Sequence, residues 1–307
     1  MKRQTLSLIQ LAVLESVART GSVGATAQEL GLSQPSVSNH IAQTERRLAV
    51  KLLIRNGHQF RPTPRLAALL PKMRAMLKLS EDIAGVLHDH AALDSGTLSI
   101  GYSTHQFVIG ALKSYIGRFP GVQLAARSAG SFDLLQDLRR GTIEAAFVTL
   151  AEPEPDLVCH LIREEPIVLM VAPDHPLLAR GGPVAWPEVA GMGLIRREAA
   201  SGTRRAFDAM AARQGMVLRT ALDLGSWESL REAAAQGMGA AIAMLGEIEA
   251  ADSRVRTLRI GPPEPRVGHY LVSLPDFAQT APVAALFDIV AQGWRSFAVP
   301  AEHSQTK

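Results

Sequence analysis

The segment TGSVGATAQELGLSQPSVSNHIAQTERRL, residues 20–48, decides the fold of the first part of this chain. Ser22 and Ser33 each precede a helix-forming run, in the position of an N-cap, and Gly31 stands between the two runs where a tight turn is needed. The segment therefore predicts two short helices joined by a turn. Such a pair typically lays its second helix in the major groove of DNA.

The second predicted helix has one apolar face. Val37, Ile41 and Leu48 recur at helical spacing, so the polar residues between them point outward. Hydroxyl and amide side chains hydrogen-bond to base edges and phosphates. The outward set is Gln34, Ser36, Ser38, Asn39 and Gln43.

A hairpin is predicted directly after the helix pair. Asn56-Gly57 is a strong turn signal, and the residues on either side can form two short strands. This pattern is typical of a wing, which would bring Arg55, His58 and Arg61 close to phosphates or a minor groove. The alternative is a solvated basic hairpin without a role in DNA binding.

Charge is distributed unevenly along the chain. Residues 1–65 contain nine Lys or Arg and three Asp or Glu, net +6, whereas residues 66–307 contain 23 and 26, net −3. A basic segment of this size indicates a nucleic-acid-binding module joined to a body with another task. The length of 307 residues and the 47% apolar composition suffice for two or three domains.

The stretch 65–92 has apolar residues at every third or fourth position and predicts one long amphipathic helix. Pro71 should kink this helix or mark an early boundary, because proline lacks the backbone N–H. The apolar stripe needs a partner. A second copy of the chain is the simplest one, and packing on the chain's own body is the alternative.

The rest of the chain alternates short apolar runs with helical stretches and predicts an α/β body. The helical stretches are 106–119, 131–140 and 281–298. The strand-like runs are 97–102, 122–127, 143–150, 166–173, 192–197, 217–224, 239–244 and 268–274.

Polar residues follow several of these strands, where ligands gather in open parallel sheets. They lie at 103–105, 128–131, 149, 198–205 and 225–226. Hydroxyls and backbone N–H groups at helix starts suit a small anion, with Arg204 or Arg205 as counter-charge. Each serine or threonine alone can equally be an ordinary helix cap.

Several classes of protein are excluded or disfavoured. Cys159 is the single cysteine, which rules out a disulfide within the chain and a Cys-rich metal site; we expect it to be a buried strand residue. No His-x-x-Glu-His, Gly-x-Ser-x-Gly or phosphate-loop motif occurs. Asp174-His175 precedes Pro176, which favours a loop rather than a general base. We therefore expect no enzymatic activity, no catalytic residues, no metal and no cofactor.

The N-terminus lacks a secretory apolar block, and no apolar run approaches membrane-spanning length. These features predict a cytoplasmic protein without a membrane partner.

Three stretches resemble LysR-type transcriptional regulators, and the resemblance extends over essentially the whole chain. They are GSVGATAQELGLSQPSVSNHIAQTERRLAVKLLIR (21–55), EEPIVLMVAPDHPLL (164–178) and AAAQGMGAAIAML (233–245). The resemblance implies an α/β protein with an all-α winged helix-turn-helix domain at its N-terminus, a dimerising linker helix, and a two-lobed effector domain similar to a periplasmic binding protein. It also implies tetramers built from two kinds of dimer.

The resemblance extends to individual site residues. Gln34, Pro35, Ser36, Ser38 and Asn39 match the base-facing start of the family's recognition helix, and Arg55 with His58 matches the wing. The helix-capping Ser22 and Ser33 complete the predicted DNA-binding set. The matches to effector-cleft positions are Ser103, Thr104, Ser131, Thr149, Ser201, Thr203 and Ser226.

This chain departs from the family pattern at a few places. Thr44 stands where an apolar residue is usual, Ala49 where glycine is usual, and Leu53 where phenylalanine is common. Arg65-Leu66-Ala67 replaces the usual acidic-Ala-Gly stretch. These substitutions bear on packing and on the angle of the wing, not on the fold.

The resemblance also predicts the division of the chain. The expected parts are a DNA-binding domain at 1–64 with its helix-turn-helix at about 22–41, a linker helix at 65–92, an effector domain at 93–300 and a tail at 301–307. Within the effector domain we expect lobe I at about 95–163 and 267–300, and lobe II at about 164–266.

The predicted function is regulation of transcription from a dyad-symmetric promoter site by a homodimer or homotetramer that senses a small anionic metabolite. RNA polymerase is a candidate further partner. Residues 196–215 and 222–239 resemble the branch that senses small anionic metabolites, including regulators linked to carbon fixation, sulfur or phosphonate use. Residues 246–260 and 268–274 look most like the regulators of aminoethylphosphonate catabolism. The alternatives are a ligand-independent DNA-binding repressor and, less favoured, a solute-binding protein.

Overall fold

The computed structural model describes residues 5–57, 59–87 and 93–293. The chain has the predicted α/β class, with a helical N-terminal domain that precedes a larger α/β body. The helices are α1 (Leu8–Thr20), α2 (Val23–Glu29), α3 (Gln34–Leu48), α4 (Pro64–Ala67), α5 (Leu70–Leu87), α6 (His105–Arg118), α7 (Ser131–Arg139), α8 (Leu177–Arg180), α9 (Trp186–Gly191), α10 (Gly202–Arg213), α11 (Trp227–Ala235), α12 (Pro275–Ala278) and α13 (Ala281–Gly293). The strands are β1 (Leu53–Asn56), β2 (Gln59–Pro62), β3 (Gly96–Tyr102), β4 (Val122–Ser128), β5 (Ala145–Leu150), β6 (Val158–Val171), β7 (Gly193–Arg197), β8 (Arg219–Leu224), β9 (Ala240–Met244), β10 (Arg256–Leu258) and β11 (Arg266–Ser273).

The helix-turn-helix begins at the two predicted caps. Ser22 Oγ accepts a hydrogen bond from Ala25 N and Ser33 Oγ accepts one from Ser36 N, each at 3.2 Å. These bonds satisfy backbone donors that the first turn of a helix leaves without partners. The apolar faces of α1, α2 and α3 then form one core, which includes Leu14, Val17, Ala27, Val37 and Ile41.

The wing forms as predicted from Asn56-Gly57. β1 and β2 pair antiparallel, and Gly57 adopts a positive φ of 62° in the turn between them. The backbone N–H of Phe60 donates to the carbonyl of Gly21 at 2.8 Å, which ties the wing to the end of α1. His58, one of the predicted wing contacts, lies outside the described residues.

The prediction of one helix from residue 65 is wrong at its start. α4 ends at Ala67 and α5 begins at Leu70, with Pro71 as its second residue. Because proline has no N–H to donate, it is tolerated in the first turn of a helix and breaks a helix interior. Pro71 therefore marks a boundary, which was one of its two expected effects. The predicted end, residues 88–92, lies outside the described residues.

Helix α5 buries one face within its own chain. Leu70 and Met73 join the core of the N-terminal domain, whereas Ala75 packs in the core of the body. Met76 and Ile83 on another face of α5 stay exposed at 52% and 62%, and Leu69, in the turn just before the helix, is 46% exposed. Packing on the chain's own body thus accounts for only part of the apolar surface of this segment.

The body contains, within its described residues, a mixed sheet of nine strands. Strands β3, β4 and β5, the first half of β6 and β11 form one part, which we call lobe I. The second half of β6 pairs with β9 and β10, and these strands with β7 and β8 form lobe II. β6 therefore runs through both lobes, and the chain returns to lobe I where β11 begins at Arg266.

Each lobe has its own buried core. Leu98, Val108, Tyr115, Phe147 and Leu286 belong to the core of lobe I. In lobe II, Ile167, Leu169, Trp186, Leu194 and Phe207 pack together. The lobes are thus separate packing units, joined by β6 and by the segment that leads into β11.

Two strand segments were not predicted. The first half of β6 alternates exposed and buried residues, so it lacks the continuous apolar run that marked 166–173 as a strand. β10 has only three residues. Cys159 lies in this first half of β6 and is half-buried rather than fully buried.

Candidate DNA-binding surface and effector cleft

The first turns of α3 present a polar, solvent-facing surface. Gln34, Pro35, Ser38 and Asn39 are exposed, and Ser36 is half-buried. Amide and hydroxyl groups that point away from the core are available to base edges when such a helix enters a major groove. Ser22 and Ser33 differ from this set, because their hydroxyls already accept hydrogen bonds as helix caps.

A buried carboxylate joins α3 to the wing. Glu45 is 8% exposed and accepts hydrogen bonds from Leu52 N at 2.8 Å, Leu53 N at 3.2 Å and Lys51 Nζ at 2.6 Å. Burial raises the pKa of Glu45, but these hydrogen bonds outweigh burial and lower the pKa overall. The carboxylate therefore stays ionised and positions the recognition helix relative to the wing. The sequence reasoning missed Glu45, although an acidic residue on the apolar face of a helix was a signal for it.

The wing adds cationic residues at the edge of this surface. Arg55 and Arg61 are both exposed. Arg55 Nε donates to the carbonyl of Gly57 at 3.1 Å, which holds the side chain against the turn.

A cavity of about 530 Å³ lies between the two lobes, and we call it the interlobe cleft. Three of the seven predicted effector residues line it: Ser103, Thr104 and Ser226. Ser131 and Thr149 line a different cavity of about 510 Å³. The structure therefore does not bring the predicted set into one site. The remaining two predicted residues, Ser201 and Thr203, are each 4% exposed and belong to neither lining.

Two buried polar atoms in the cleft lining lack a hydrogen-bond partner among the described residues. They are Ser103 Oγ and Arg197 Nε. A buried polar atom without a partner is costly, so such atoms at a cavity favour the binding of a molecule that supplies the partner. Other predicted hydroxyls are engaged: Ser226 Oγ accepts from Ser229 N at 3.1 Å, and Thr149 Oγ1 lies 3.2 Å from His269 Nδ1. The sequence reasoning missed Arg197, which ends strand β7.

Two helices begin at the cleft. Thr104 caps α6 and Ser226 caps α11, and both residues line the cavity. Helix N-termini carry partial positive charge and attract anions. Together with Arg197 they provide a setting for a negatively charged group.

The cleft also contains carboxylates. Glu228, Glu247 and Glu249 belong to its lining. Burial raises the pKa of Glu247 to about 7, although Arg197 Nη1, at 3.9 Å from its Oε1, acts in the opposite direction. Glu247 is therefore partly protonated at neutral pH, which reduces its repulsion of an anion in the cleft.

The two predicted counter-charges lie elsewhere. Arg204 Nη1 donates to the carbonyl of Arg197 at 2.6 Å and pairs with Asp223 at 3.0 Å, and it does not line the cleft. Arg205 stacks over the Phe132 ring at 4.5 Å and lines the second cavity.

A buried pair lies where β6 and β11 join the lobes. Glu165 Oε1 is 2.6 Å from His269 Nε2, and both side chains are almost fully buried. Glu165 Oε2 accepts from Gly246 N, and Gln106 Nε2 donates to the carbonyl of Gly246 at 2.8 Å. Burial raises the pKa of Glu165, but His269 and the other partners lower it overall. This network connects α6 of lobe I to the backbone of lobe II.

The described residues include no helix that is long and apolar enough to cross a membrane. They also contain no cluster of three or more His, Cys, Asp or Glu residues that could hold a metal ion.

A winged helix-turn-helix with an exposed polar recognition helix, followed by two lobes around a polar cleft, defines a DNA-binding transcription regulator with an effector-binding domain. Residues 8–65 match the bacterial regulatory helix-turn-helix protein of the lysR family, and residues 91–295 match the LysR substrate binding domain. The chain belongs to the LysR family of transcriptional regulators. The expectation of a regulator rather than an enzyme is confirmed by this membership.

Similar proteins agree with this assignment. PtxE of Stutzerimonas stutzeri, named as a putative HTH-type transcriptional regulator, is 31% identical over 199 residues, which are 64% of this chain and 100% of PtxE. The RuBisCO operon transcriptional regulator of Allochromatium vinosum is 26% identical over 246 residues, 80% of this chain and 81% of that protein. The solved structure of a substituted form of full-length OxyR from Pseudomonas aeruginosa superposes with a TM-score of 0.73 at 17% identity, covering 95% of this chain and 96% of the other, which shows a shared fold.

Proposed function

We propose that this regulator binds a dyad-symmetric promoter site as a dimer or tetramer and responds to a small anionic metabolite held in the interlobe cleft. The observation that carries the ligand part is the pair of unpartnered buried atoms, Ser103 Oγ and Arg197 Nε, which both line this cleft. Such a protein acts in the cytoplasm, and contact with RNA polymerase belongs to the same proposal.

The DNA-binding part rests on α3 and the wing. Gln34, Ser38 and Asn39 are exposed at the start of α3, in a segment of net charge +6. In this proposal the residues of α3 read base edges, and Arg55 contacts the backbone of the duplex, which adds affinity without sequence preference.

Self-association rests on the exposed face of α5. Met76 and Ile83 of α5 are seven residues apart, the spacing at which two helices wind around each other, and Leu69 lies seven residues before Met76 in the turn that precedes α5. We propose that this stripe pairs with its copy in a second chain. Size-exclusion chromatography with light scattering tests the pairing. Ile83→Glu should lower the molar mass to that of a smaller assembly, whereas Glu81→Gln, at an exposed position outside the stripe, should not. An unchanged mass for Ile83→Glu contradicts the pairing.

The chemistry of the cleft suits an anion that also carries an amino group. Arg197 and the starts of α6 and α11 suit a phosphonate or carboxylate. Glu228 and Glu249, also in the lining, offer partners to an ammonium group. Both features agree with the resemblance to regulators of aminoethylphosphonate catabolism, and 2-aminoethylphosphonate is the ligand we propose to test first. The ligand controls the protein only if it binds one arrangement of the lobes more tightly than the other.

Fluorescence anisotropy on the DNA upstream of the chain's own start codon tests the DNA-binding part. Ser38→Ala and Asn39→Ala should each reduce the preference for this fragment over a scrambled one by about 1–3 kcal/mol. Arg55→Ala should weaken binding to both fragments equally, and Arg118→Ala, on the surface of the body, should weaken neither. Unchanged preference in both α3 variants contradicts the assignment of α3.

Thermal melting of the full chain tests the effector part. We expect the melting temperature to rise with 2-aminoethylphosphonate, less with ethylphosphonate and sulfate, because binding to the folded state alone raises stability. Ser103→Ala and Arg197→Gln should remove most of this rise, and Ser253→Ala, at an exposed position, should not. A full rise in both cleft variants contradicts the site.

The DNA-binding and melting experiments together also separate this function from the two alternative functions. A ligand-independent repressor would show sequence-specific DNA binding and no response to any compound. A solute-binding protein would respond to a ligand without binding DNA, and the helix-turn-helix weighs against this alternative.

A further inference from the structure

Glu247 is a buried carboxylate in the lining of the interlobe cleft. It ends the short turn Leu245–Glu247 after β9, and 8% of its side chain is exposed. Its Oε2 accepts the backbone N–H of Met244 at 3.2 Å. Among the described residues its one ion pair is with Arg197, whose Nη1 lies 3.9 Å from Oε1, too far for a hydrogen bond. The charge of Glu247 is therefore only loosely compensated where the protein excludes water.

A second buried carboxylate lies beside the same turn. Glu165 Oε2 accepts the N–H of Gly246, the residue before Glu247, and Glu165 Oε1 lies 2.6 Å from His269 Nε2. Burial raises the pKa of Glu165, but His269, Gly246 and Arg163 lower it overall, so Glu165 stays ionised. Burial also raises the pKa of Glu247, and the ionised Glu165 adds to this effect. Of the two carboxylates, Glu247 is thus the one that accepts a proton.

Arg197 is the cation that an anion in the cleft would engage. Its Nη2 is 3.5 Å from Glu198 Oε1, and its Nε is buried without a hydrogen-bond partner in the described part of the chain. An anion that accepts from Nε brings a negative charge into the cleft that Glu247 also lines. This charge repels the Glu247 carboxylate and offsets the positive charge that keeps it ionised. Occupation of the cleft therefore favours the neutral form of Glu247.

We propose that Glu247 takes up a proton from the solvent when an anion binds in the interlobe cleft, so that affinity for the anion falls as the pH rises. The proton is held at Oε1, because Oε2 already accepts the N–H of Met244. The anion then pairs with Arg197 and meets Glu247 as a neutral carboxyl group. This proton uptake rests on the proposed function, because it requires an anion in this cleft.

Other titratable groups face Glu247 across the cleft. His105 of α6, Glu228 of α11 and Glu249 belong to the same lining. The backbone N–H of Glu228 itself and the hydroxyl of Ser226 hydrogen-bond to the Glu228 carboxylate and lower its pKa, so Glu228 stays ionised. Imidazole is another proton acceptor near neutral pH. His105 is therefore the group from which the role of Glu247 has to be separated by experiment.

Isothermal titration calorimetry of the full chain with sulfate measures the proton uptake. The charge of sulfate does not change between pH 6 and pH 8, so every proton exchanged belongs to the protein. At pH 8, above the Glu247 pKa of about 7, the free chain holds this carboxylate mostly ionised. Binding enthalpies in Tris and in triethanolamine, two cationic buffers with different ionisation enthalpies, should then differ by the equivalent of about half a proton or more. The dissociation constant should rise at least about threefold from pH 6 to pH 8.

Three variants assign the proton to one side chain. Glu247→Gln should abolish the buffer dependence at pH 8 and flatten the change of affinity with pH, because an amide does not titrate in this range. Glu249→Gln removes an exposed carboxylate from the same lining and is the matched control. Glu249→Gln and His105→Gln should each keep the proton uptake of the wild type, whatever their effect on affinity.

Proton uptake and anion binding can fail separately. Sulfate binding by the wild type with the same enthalpy in both buffers overturns the proton uptake and leaves the proposed effector site standing. Uptake that survives in Glu247→Gln, or that disappears in His105→Gln, also overturns it. Absence of binding by both sulfate and 2-aminoethylphosphonate contradicts the proposed effector site, and the proton uptake falls with it.

Discussion

Arg74 of α5 hydrogen-bonds to Glu15 of α1, with its Nε 2.9 Å from the Oε1 of Glu15. The same guanidinium donates through Nη1 to the carbonyls of Arg140 and Gly141, at 3.1 and 2.8 Å. Arg140 and Gly141 follow α7 in lobe I. One side chain therefore joins the DNA-binding domain to the effector-binding domain, with 20% of its surface exposed.

Arg74→Ala should loosen this junction. The substitution removes an ion pair and two hydrogen bonds to carbonyls, a loss of about 1–3 kcal/mol in the free energy of unfolding. Hydrogen exchange followed by mass spectrometry should show faster exchange in peptides from α1 and from the end of α7. Arg65→Ala, an exposed arginine on α4, is the control. Exchange at the wild-type rate in both peptides of Arg74→Ala contradicts the role of this contact.

Gly202→Ala should disturb the contact between the lobes. Gly202 begins α10 of lobe II, and a Cβ at this position would overlap the carbonyl of Thr149 and come within 2.8 Å of Ser131 Oγ, both in lobe I. Because backbone atoms cannot yield as a flexible side chain can, we expect a destabilisation of about 1–3 kcal/mol in denaturant unfolding.

The matched control for Gly202 is in the same lobe. Gly191→Ala would place a Cβ where no atom lies within 4 Å, so its stability should stay within about 0.5 kcal/mol of the wild type. Equal stabilities for the two alanine variants would show that the lobes are not packed as closely as described.

Glu247 should make stability depend on pH. Its pKa is about 7 in the folded chain, raised by burial from an ordinary value of 4.5. Between these values the folded state holds a proton that the unfolded state releases, so stability falls as the pH rises through this window. Glu247→Gln lacks this loss, and its stability relative to the wild type should increase by up to about 3 kcal/mol between pH 4 and pH 8. Urea unfolding at both pH values measures the difference in the free energy of unfolding between Glu247→Gln and the wild type. A difference that is the same at both pH values contradicts the prediction.

Ala49→Gly should stabilise the N-terminal domain. Ala49 ends α3 in the left-handed conformation, with φ 51° and ψ 39°, where a Cβ is strained and glycine is not. We expect a gain of about 1 kcal/mol in denaturant unfolding. Ala42→Gly, at an exposed interior position of α3, should instead cost about 1 kcal/mol. A loss of stability in Ala49→Gly would mean that the left-handed cap is not strained.

The N-terminal domain was largely predictable because its folding information is local. The two cap serines, Gly31 and Asn56-Gly57 each specify one turn through residues close in sequence. The special position of Ala49 was also predictable, because the family usually has glycine there, and the structure shows a positive φ at this residue. The break between α4 and α5 was predicted only as an alternative, because Pro71 is compatible with either a kink or a boundary.

The effector-binding region was less predictable because its contacts join residues far apart in the chain. Serine and threonine at strand ends look alike in sequence whether they cap a helix, as Ser201 does, or face a cavity, as Ser103 does. Arg197 and Glu247 meet only after β7 and β9 have paired in the sheet. The same holds for Glu165 and His269, whose partnership depends on β6 and β11 lying side by side.

Selection of random double-stranded DNA by the full chain, followed by sequencing, tests the central claim most directly. We predict enrichment of a motif with two dyad-related half-sites about one helical turn, roughly 10–10.5 base pairs, apart. Asn39→Ala should relax the preference at one position in each half-site and keep their spacing. Absence of any enriched motif with the wild-type chain, or an identical motif with Ser38→Ala and Asn39→Ala, would contradict the assignment of α3 as the helix that reads DNA.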